Sequence, residues 1–122
     1  MRVPSTDDVT LELHHFGGDG PPLLVVHATG FCAAPYRHLL PVLGRSFELW
    51  ALDVRSHGDS TDAADGEVSW QGTSRDVLAA VEAIGRGPVA GFGHSMGGAS
   101  LLGAELDRPG TLTALYAYEP IV

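Results

Sequence analysis

The sequence predicts an α/β fold, a mostly parallel sheet flanked by helices in a three-layer sandwich, and three observations predict it. Leu23 to His27 (LLVVH), Phe47 to Leu52 (FELWAL), Pro88 to Phe92 (PVAGF) and Leu112 to Tyr118 are apolar runs too short for helices, the pattern of strands buried on both faces. Between them lies helical periodicity: Val77, Leu78, Val81 and Ile84 share one face of a helix over Ser74 to Gly85, and Ser95 to Leu106 supplies another. Strands that alternate with helices need crossover connections, which are right-handed in nearly all cases and make the sheet parallel.

The remaining elements follow in order. Thr10 to Phe16 alternates partially and reads as an outer strand, closed by Gly17-Gly18 and the turn-rich Asp19 to Pro22. Pro35 suits a first helical turn, so Tyr36 to Leu43, with Leu39, Leu40 and Leu43, reads as a helix that Pro41 should kink or shorten. Asp53 to Gly66 is polar and reads as loop. Thr73, with Asp76 three positions later, resembles a capping box at the start of the next helix.

With 122 residues, 44% of them apolar and 18% charged, the chain is read as one domain over residues 1–122. A net charge of −8 repels phosphate backbones and anionic headgroups, which excludes nucleic acid and membrane surfaces as natural partners. No apolar run approaches the roughly 20 residues of a membrane span, and the opening MRVPSTDD lacks a signal-peptide core, so a cytoplasmic protein is expected. Cys32 has no partner for an internal disulfide and reads as a small buried filler. His14 and His15, neighbours on a strand, face opposite sides and cannot share a metal. No metal or organic cofactor is implied.

The chemical signal is Gly93-His94-Ser95-Met96-Gly97, which fits G-x-S-x-G. In a chain with 16 glycines the pattern alone is weak, and context decides. Here it lies between an apolar strand and a helix, where a sharp turn strains the central residue and lifts its hydroxyl clear of the sheet. Glycines at 93 and 97 leave room for that turn. The helix N-terminus adds unpaired N–H groups that suit a developing oxyanion. The bland alternative is that Ser95 merely caps the helix. A second alternative is dinucleotide binding through Gly91, Gly93 and Gly97, with Glu119 as the downstream acid. That fingerprint would normally follow the first strand, and it leaves the segments after His27 and Asp53 unexplained.

Those segments, His27-Ala-Thr-Gly-Phe31 and Asp53-Val-Arg-Ser-His-Gly-Asp-Ser60, together with the Gly93 to Gly97 turn, resemble the α/β-hydrolase family in order and over nearly the whole chain. Ala28 and Ser56 stand where that family usually has glycine. The resemblance implies Ser95 as nucleophile, the Met96 amide as one oxyanion donor, and a second donor from Thr29 or, with the loop in another register, Phe31. It implies that Asp53, Arg55 and His57 hold a loop and take no part in chemistry. It also implies hydrolysis of an ester or related carbonyl-containing small molecule. Serine at the nucleophile position speaks against the dehalogenase and epoxide-hydrolase branches, whose nucleophile is a carboxylate.

In this family the order is nucleophile, acid, histidine. All six histidines (14, 15, 27, 38, 57 and 94) precede Ser95, so the expected base is missing. His94 should point away from the hydroxyl, and His27 is the better substitute although its usual part is to shape the loop. Glu119, closing the last strand, is the candidate acid. The resemblance further implies two strands, their helices and a lid beyond Val122, so the chain reads as a truncated domain with faint hydrolysis. Strand 112–118 would then keep an unpaired edge that invites self-association or a complementary C-terminal half. A fold turned to non-catalytic binding is the remaining alternative.

Overall fold

The computed structural model describes residues 1–120. Six strands, β1 (Arg2–Pro4), β2 (Thr10–Gly17), β3 (Pro22–Val26), β4 (Glu48–Asp53), β5 (Val89–His94) and β6 (Leu112–Tyr118), form one sheet in the order β1-β2-β4-β3-β5-β6. β1 pairs with β2 and β2 with β4 in antiparallel fashion, whereas β4, β3, β5 and β6 run parallel. The α/β architecture and its mostly parallel sheet are therefore as the sequence implies.

Alternation along β3 divides the core. Leu24 and Val26 face one side, where Leu52, Val77, Ala80, Leu101 and Ala104 join them under helices α2 (Trp70–Ile84) and α3 (Met96–Asp107). Leu23 and Val25 face the other, with Phe16, Leu49 and Ala51, under a 3-10 segment (Ala34–Leu39) and the single turn α1 (Leu40–Leu43). Every residue of β3 is buried, which is why its sequence is an unbroken apolar run.

Several expectations need correction. The helix expected over Tyr36 to Leu43 is split into the 3-10 segment and α1, each with a proline in its first turn. Pro41 has no N–H to give an i−4 carbonyl, so a continuous α-helix fails there. Helix α2 begins four residues before Ser74, and its cap is Ser69, whose Oγ accepts from the Gly72 amide over 3.0 Å. Thr73 lies inside that helix and donates to the Trp70 carbonyl, while Asp76 is engaged elsewhere. β1 is an additional strand, and at three residues it carries no periodic signal. β6 has the expected bounds but is not buried: Tyr116 is 61% exposed and the strand lies at one edge of the described sheet. Cys32 is half-buried. Among the described residues no helix is long and apolar enough to cross a membrane.

The loop after β4 is pinned by a buried ion pair. Arg55 donates through Nε to Asp76 Oδ2 (3.0 Å) and through Nη2 to Asp76 Oδ1 (2.8 Å), and both residues are almost fully enclosed. Its Nη1 reaches Asp7 Oδ2 at 2.8 Å, which fastens the β1–β2 turn to the same point. Burial alone would lower the Arg55 pKa, but the Asp76 and Asp7 hydrogen bonds outweigh it and hold the guanidinium charged.

Candidate active site

Ser95 connects β5 to α3 with φ 54° and ψ −115°, a backbone conformation that L-residues rarely adopt. Its amide donates to the Tyr118 carbonyl over 2.8 Å and its carbonyl accepts from the Gly98 amide over 3.0 Å, so main-chain bonds hold the strained turn. The side chain makes no capping hydrogen bond, which removes the reading of Ser95 as a helix cap. The residue is half-buried.

Two glycines permit this turn. A Cβ at Gly97 would collide with the Val26 carbonyl at the end of β3, and a Cβ at Gly93 would collide with the backbone of Gly98. These close approaches bring the start of α3 against the segment that follows β3. The loop of His27 to Phe31 therefore lies beside the serine turn: the rings of Phe31 and His94 meet edge-on with centroids 5.6 Å apart. Tyr36 Oη is 2.8 Å from His94 Nδ1 and also accepts, at 3.4 Å, from the Ala28 amide. Tyr118 completes an aromatic group around His94, with ring centroids 5.3 Å apart.

Around this turn, main-chain donors divide into engaged and free. The Ala28 amide goes to Tyr36, the Gly30 amide to His57 Nε2 (3.0 Å), and the Phe31 amide to the Ala28 carbonyl (3.0 Å). Thr29 is exposed, and its amide has no partner among the described hydrogen bonds; the amide of the buried Met96 has none either.

His14, His15, His27 and His57 have other employment. His27 is fully buried; Nδ1 donates to the Ala28 carbonyl at 2.8 Å and Nε2 accepts from the Val54 amide at 3.2 Å. Burial pushes its pKa below the ordinary 6.5, so the ring is neutral and both nitrogens are occupied. His27 consequently cannot stand in as the base. His57 is tilted against it at 4.9 Å and also uses both nitrogens, donating from Nδ1 to the Arg55 carbonyl at 2.9 Å. His15 stacks on Trp50 at 4.2 Å and meets Glu48, while His14 Nε2 meets Asp53 Oδ2 at 3.0 Å.

Asp53 is the anchor under the loops. Oδ1 accepts from the Ala33 amide at 2.7 Å, and Oδ2 takes both His14 and the Asp59 amide at 3.1 Å. Burial would raise its pKa, but those three donors, Ala33 foremost, hold the carboxyl below its usual range. His14, Asp53 and Asp59 bring their ligand atoms within 4.8 Å of one another, yet Asp53 is already committed to these structural donors. Asp53 and Arg55 do not pair with each other; each fixes a different part of the loop.

Glu119 follows β6 at φ 47°, exposed at the end of the strand. The Tyr118 carbonyl bonded to the Ser95 amide belongs to the residue just before it, so Glu119 emerges at the same end of the sheet as the serine. Sequence reasoning missed Tyr36, whose partner lies 58 positions away.

A strained serine between a parallel strand and a helix, beside a loop with a free amide, is the arrangement that α/β folds present at the top of the sheet. The Alpha/beta hydrolase family matches residues 23–120, and the chain belongs to that family. A curated relative, (E)-2-((N-methylformamido)methylene)succinate hydrolase of Acinetobacter baylyi, is 30% identical over 102 residues, 79% of this chain and 36% of its own length. The magnesium-chelatase 30 kDa subunit of Rhodobacter capsulatus is 31% identical over 91 residues, 75% of this chain and 32% of its own. The crystal structure of an alpha/beta hydrolase from Sphaerobacter thermophilus superposes with a TM-score of 0.84 at 30% identity, over 98% of this chain and 45% of that one. The chain thus spans about a third of the length of these curated relatives.

Proposed function

We propose that this chain carries the nucleophile and oxyanion site of a serine hydrolase acting on an ester or related carbonyl-containing small molecule. The observation that carries the reading is the strained Ser95, whose hydroxyl has no capping partner at the mouth of α3. In the reaction the Ser95 Oγ attacks the substrate carbonyl, and the oxygen that becomes negative is received by the Met96 and Thr29 amides. Thr29 is preferred to Phe31 because the Phe31 amide already serves the Ala28 carbonyl. Gly93, His94 and Gly97 shape the turn, with His94 held by Tyr36. Glu119 is the proposed acid. Among the described residues no histidine is hydrogen-bonded to the serine, so the proton needs a base from elsewhere and this chain alone turns over slowly. Losing a triad member can reduce turnover by about 10⁶, leaving roughly 10³ to 10⁴ over water.

No cofactor enters this scheme. The dinucleotide alternative is not favoured: Gly93 and Gly97 are consumed by close backbone contacts at the turn, and the family match covers the segments it leaves out. A non-catalytic binding role is likewise not favoured by the relatives named as hydrolases. We place the protein in the cytoplasm, with a small-molecule substrate and with the edge of β6 open to a second copy or a complementary C-terminal half.

Labelling by a fluorophosphonate tests the reading. Adduct should form at Ser95, slowly because the base is missing, and disappear in Ser95→Ala, together with residual ester hydrolysis. Adduct elsewhere, or measurable NAD(P) affinity without labelling, overturns it.

A further inference from the structure

We infer that His57 is the positioning residue of the oxyanion loop, holding it in its donor-presenting shape only while the imidazole is neutral. Its Nε2 accepts the Gly30 amide at 3.0 Å, and its Nδ1 donates to the Arg55 carbonyl at 2.9 Å. That pattern defines one tautomer, because the nitrogen facing Gly30 must present a lone pair and the other must carry the hydrogen. Arg55 is itself immobilised by Asp76 and Asp7, so the ring hangs from a rigid support. Fixing Gly30 orients the preceding peptide unit and leaves the Thr29 amide as the unengaged donor between two engaged neighbours.

A proton on Nε2 would set two N–H groups against each other and expel Gly30 from this contact. His57 is half-buried, so protons reach it. The titratable and charged groups around it are few. His27 faces it from the oxyanion loop at 4.9 Å, buried and neutral. The Asp53 carboxylate lies beneath Gly58, the next residue. On its own loop, Asp59 is exposed and the Arg55 guanidinium is spent on Asp76 and Asp7.

The role for Thr29 rests on the reading proposed above, but the contact between His57 and Gly30 does not, and NMR on the intact chain isolates it. Ring ¹⁵N shifts should report the Nδ1–H tautomer at neutral pH. The Gly30 amide should shift in step with the His57 ring as acid is added, and the Thr29 amide should follow. In His57→Gln, whose side-chain oxygen still accepts but does not titrate in this range, the Gly30 amide should keep a wild-type shift and lose the pH response. In His57→Ala the low-pH position of Gly30 should appear at every pH. A Gly30 amide indifferent to the His57 titration, or an Nε2–H tautomer in the wild type, overturns the inference even if the alanine variant fails to fold. Absence of Ser95 labelling with the co-titration intact would defeat the serine-hydrolase reading while leaving the His57 contact standing.

Discussion

Tyr36 Oη lies 2.8 Å from Nδ1 of His94, joining the segment after the His27–Phe31 loop to the residue that precedes Ser95. The hydroxyl shares a hydrogen bond with the imidazole and accepts from the Ala28 amide, so one side chain spans both halves of the site. Burial raises the Tyr36 pKa, which keeps the phenol protonated well into alkaline conditions. Tyr36→Phe should destabilise the fold by about 1 kcal/mol, the net value of such a bond. Urea titration checks it: the midpoint should fall while the slope stays constant.

The Arg55–Asp76 pair gives a larger effect. Asp76→Ala leaves a buried guanidinium with the exposed Asp7 as its remaining charged partner, and the expected loss is about 3–5 kcal/mol. Replacing both partners, Arg55→Met with Asp76→Leu, should recover most of that loss, because neither charge is then stranded. Calorimetry of Arg55→Met, Asp76→Leu and the double variant measures the coupling; additive losses would contradict it.

Acid should unfold the protein in two stages. The buried His27 has a folded pKa below its unfolded 6.5, so as pH falls through that value the unfolded chain takes the proton first and stability drops. Asp53 works at lower pH: its folded pKa is below 3.8, so its contribution is complete above the unfolded value and is lost as pH falls through the folded one. Unfolding free energy measured from pH 8 downward should decline first near the histidine range. His27→Gln should flatten that first decline.

β6 should govern association. Tyr116, 61% exposed and stacked on Phe92 at 5.4 Å, and Leu115, 36% exposed, lie on this edge strand of the described sheet. Light scattering across a concentration series should show growth of larger species, reduced by Tyr116→Lys. A wild type that stays monomeric throughout would remove β6 as an association edge.

What could be read in the sequence beforehand follows physical lines. β3 announced itself because both of its faces are covered, and the serine turn did so because its glycines are forced by backbone contact. The first turn of α2 was hidden. Gly72 interrupts its pattern, and a Cβ there would meet the Arg55 guanidinium at 2.7 Å, a tertiary reason invisible to periodicity. β6 looked buried because its residues are apolar, but composition records what a strand is suited to touch rather than what touches it. The amide inventory that separates Thr29 from Phe31, and the Tyr36 link, depend on contacts between distant segments. No local pattern encodes them.

The contact of Gly97 with the Val26 carbonyl also limits what laboratory evolution could do with the proposed hydrolase site. Alanine, the smallest step from glycine, would already wedge α3 away from β3 and carry Ser95 with it. Libraries that randomise the turn should return a single amino acid at that position, whatever substrate they are selected on. New specificity has to be sought in side chains that border the serine without touching the helix seat, and Phe31 and Tyr118 are open to such change.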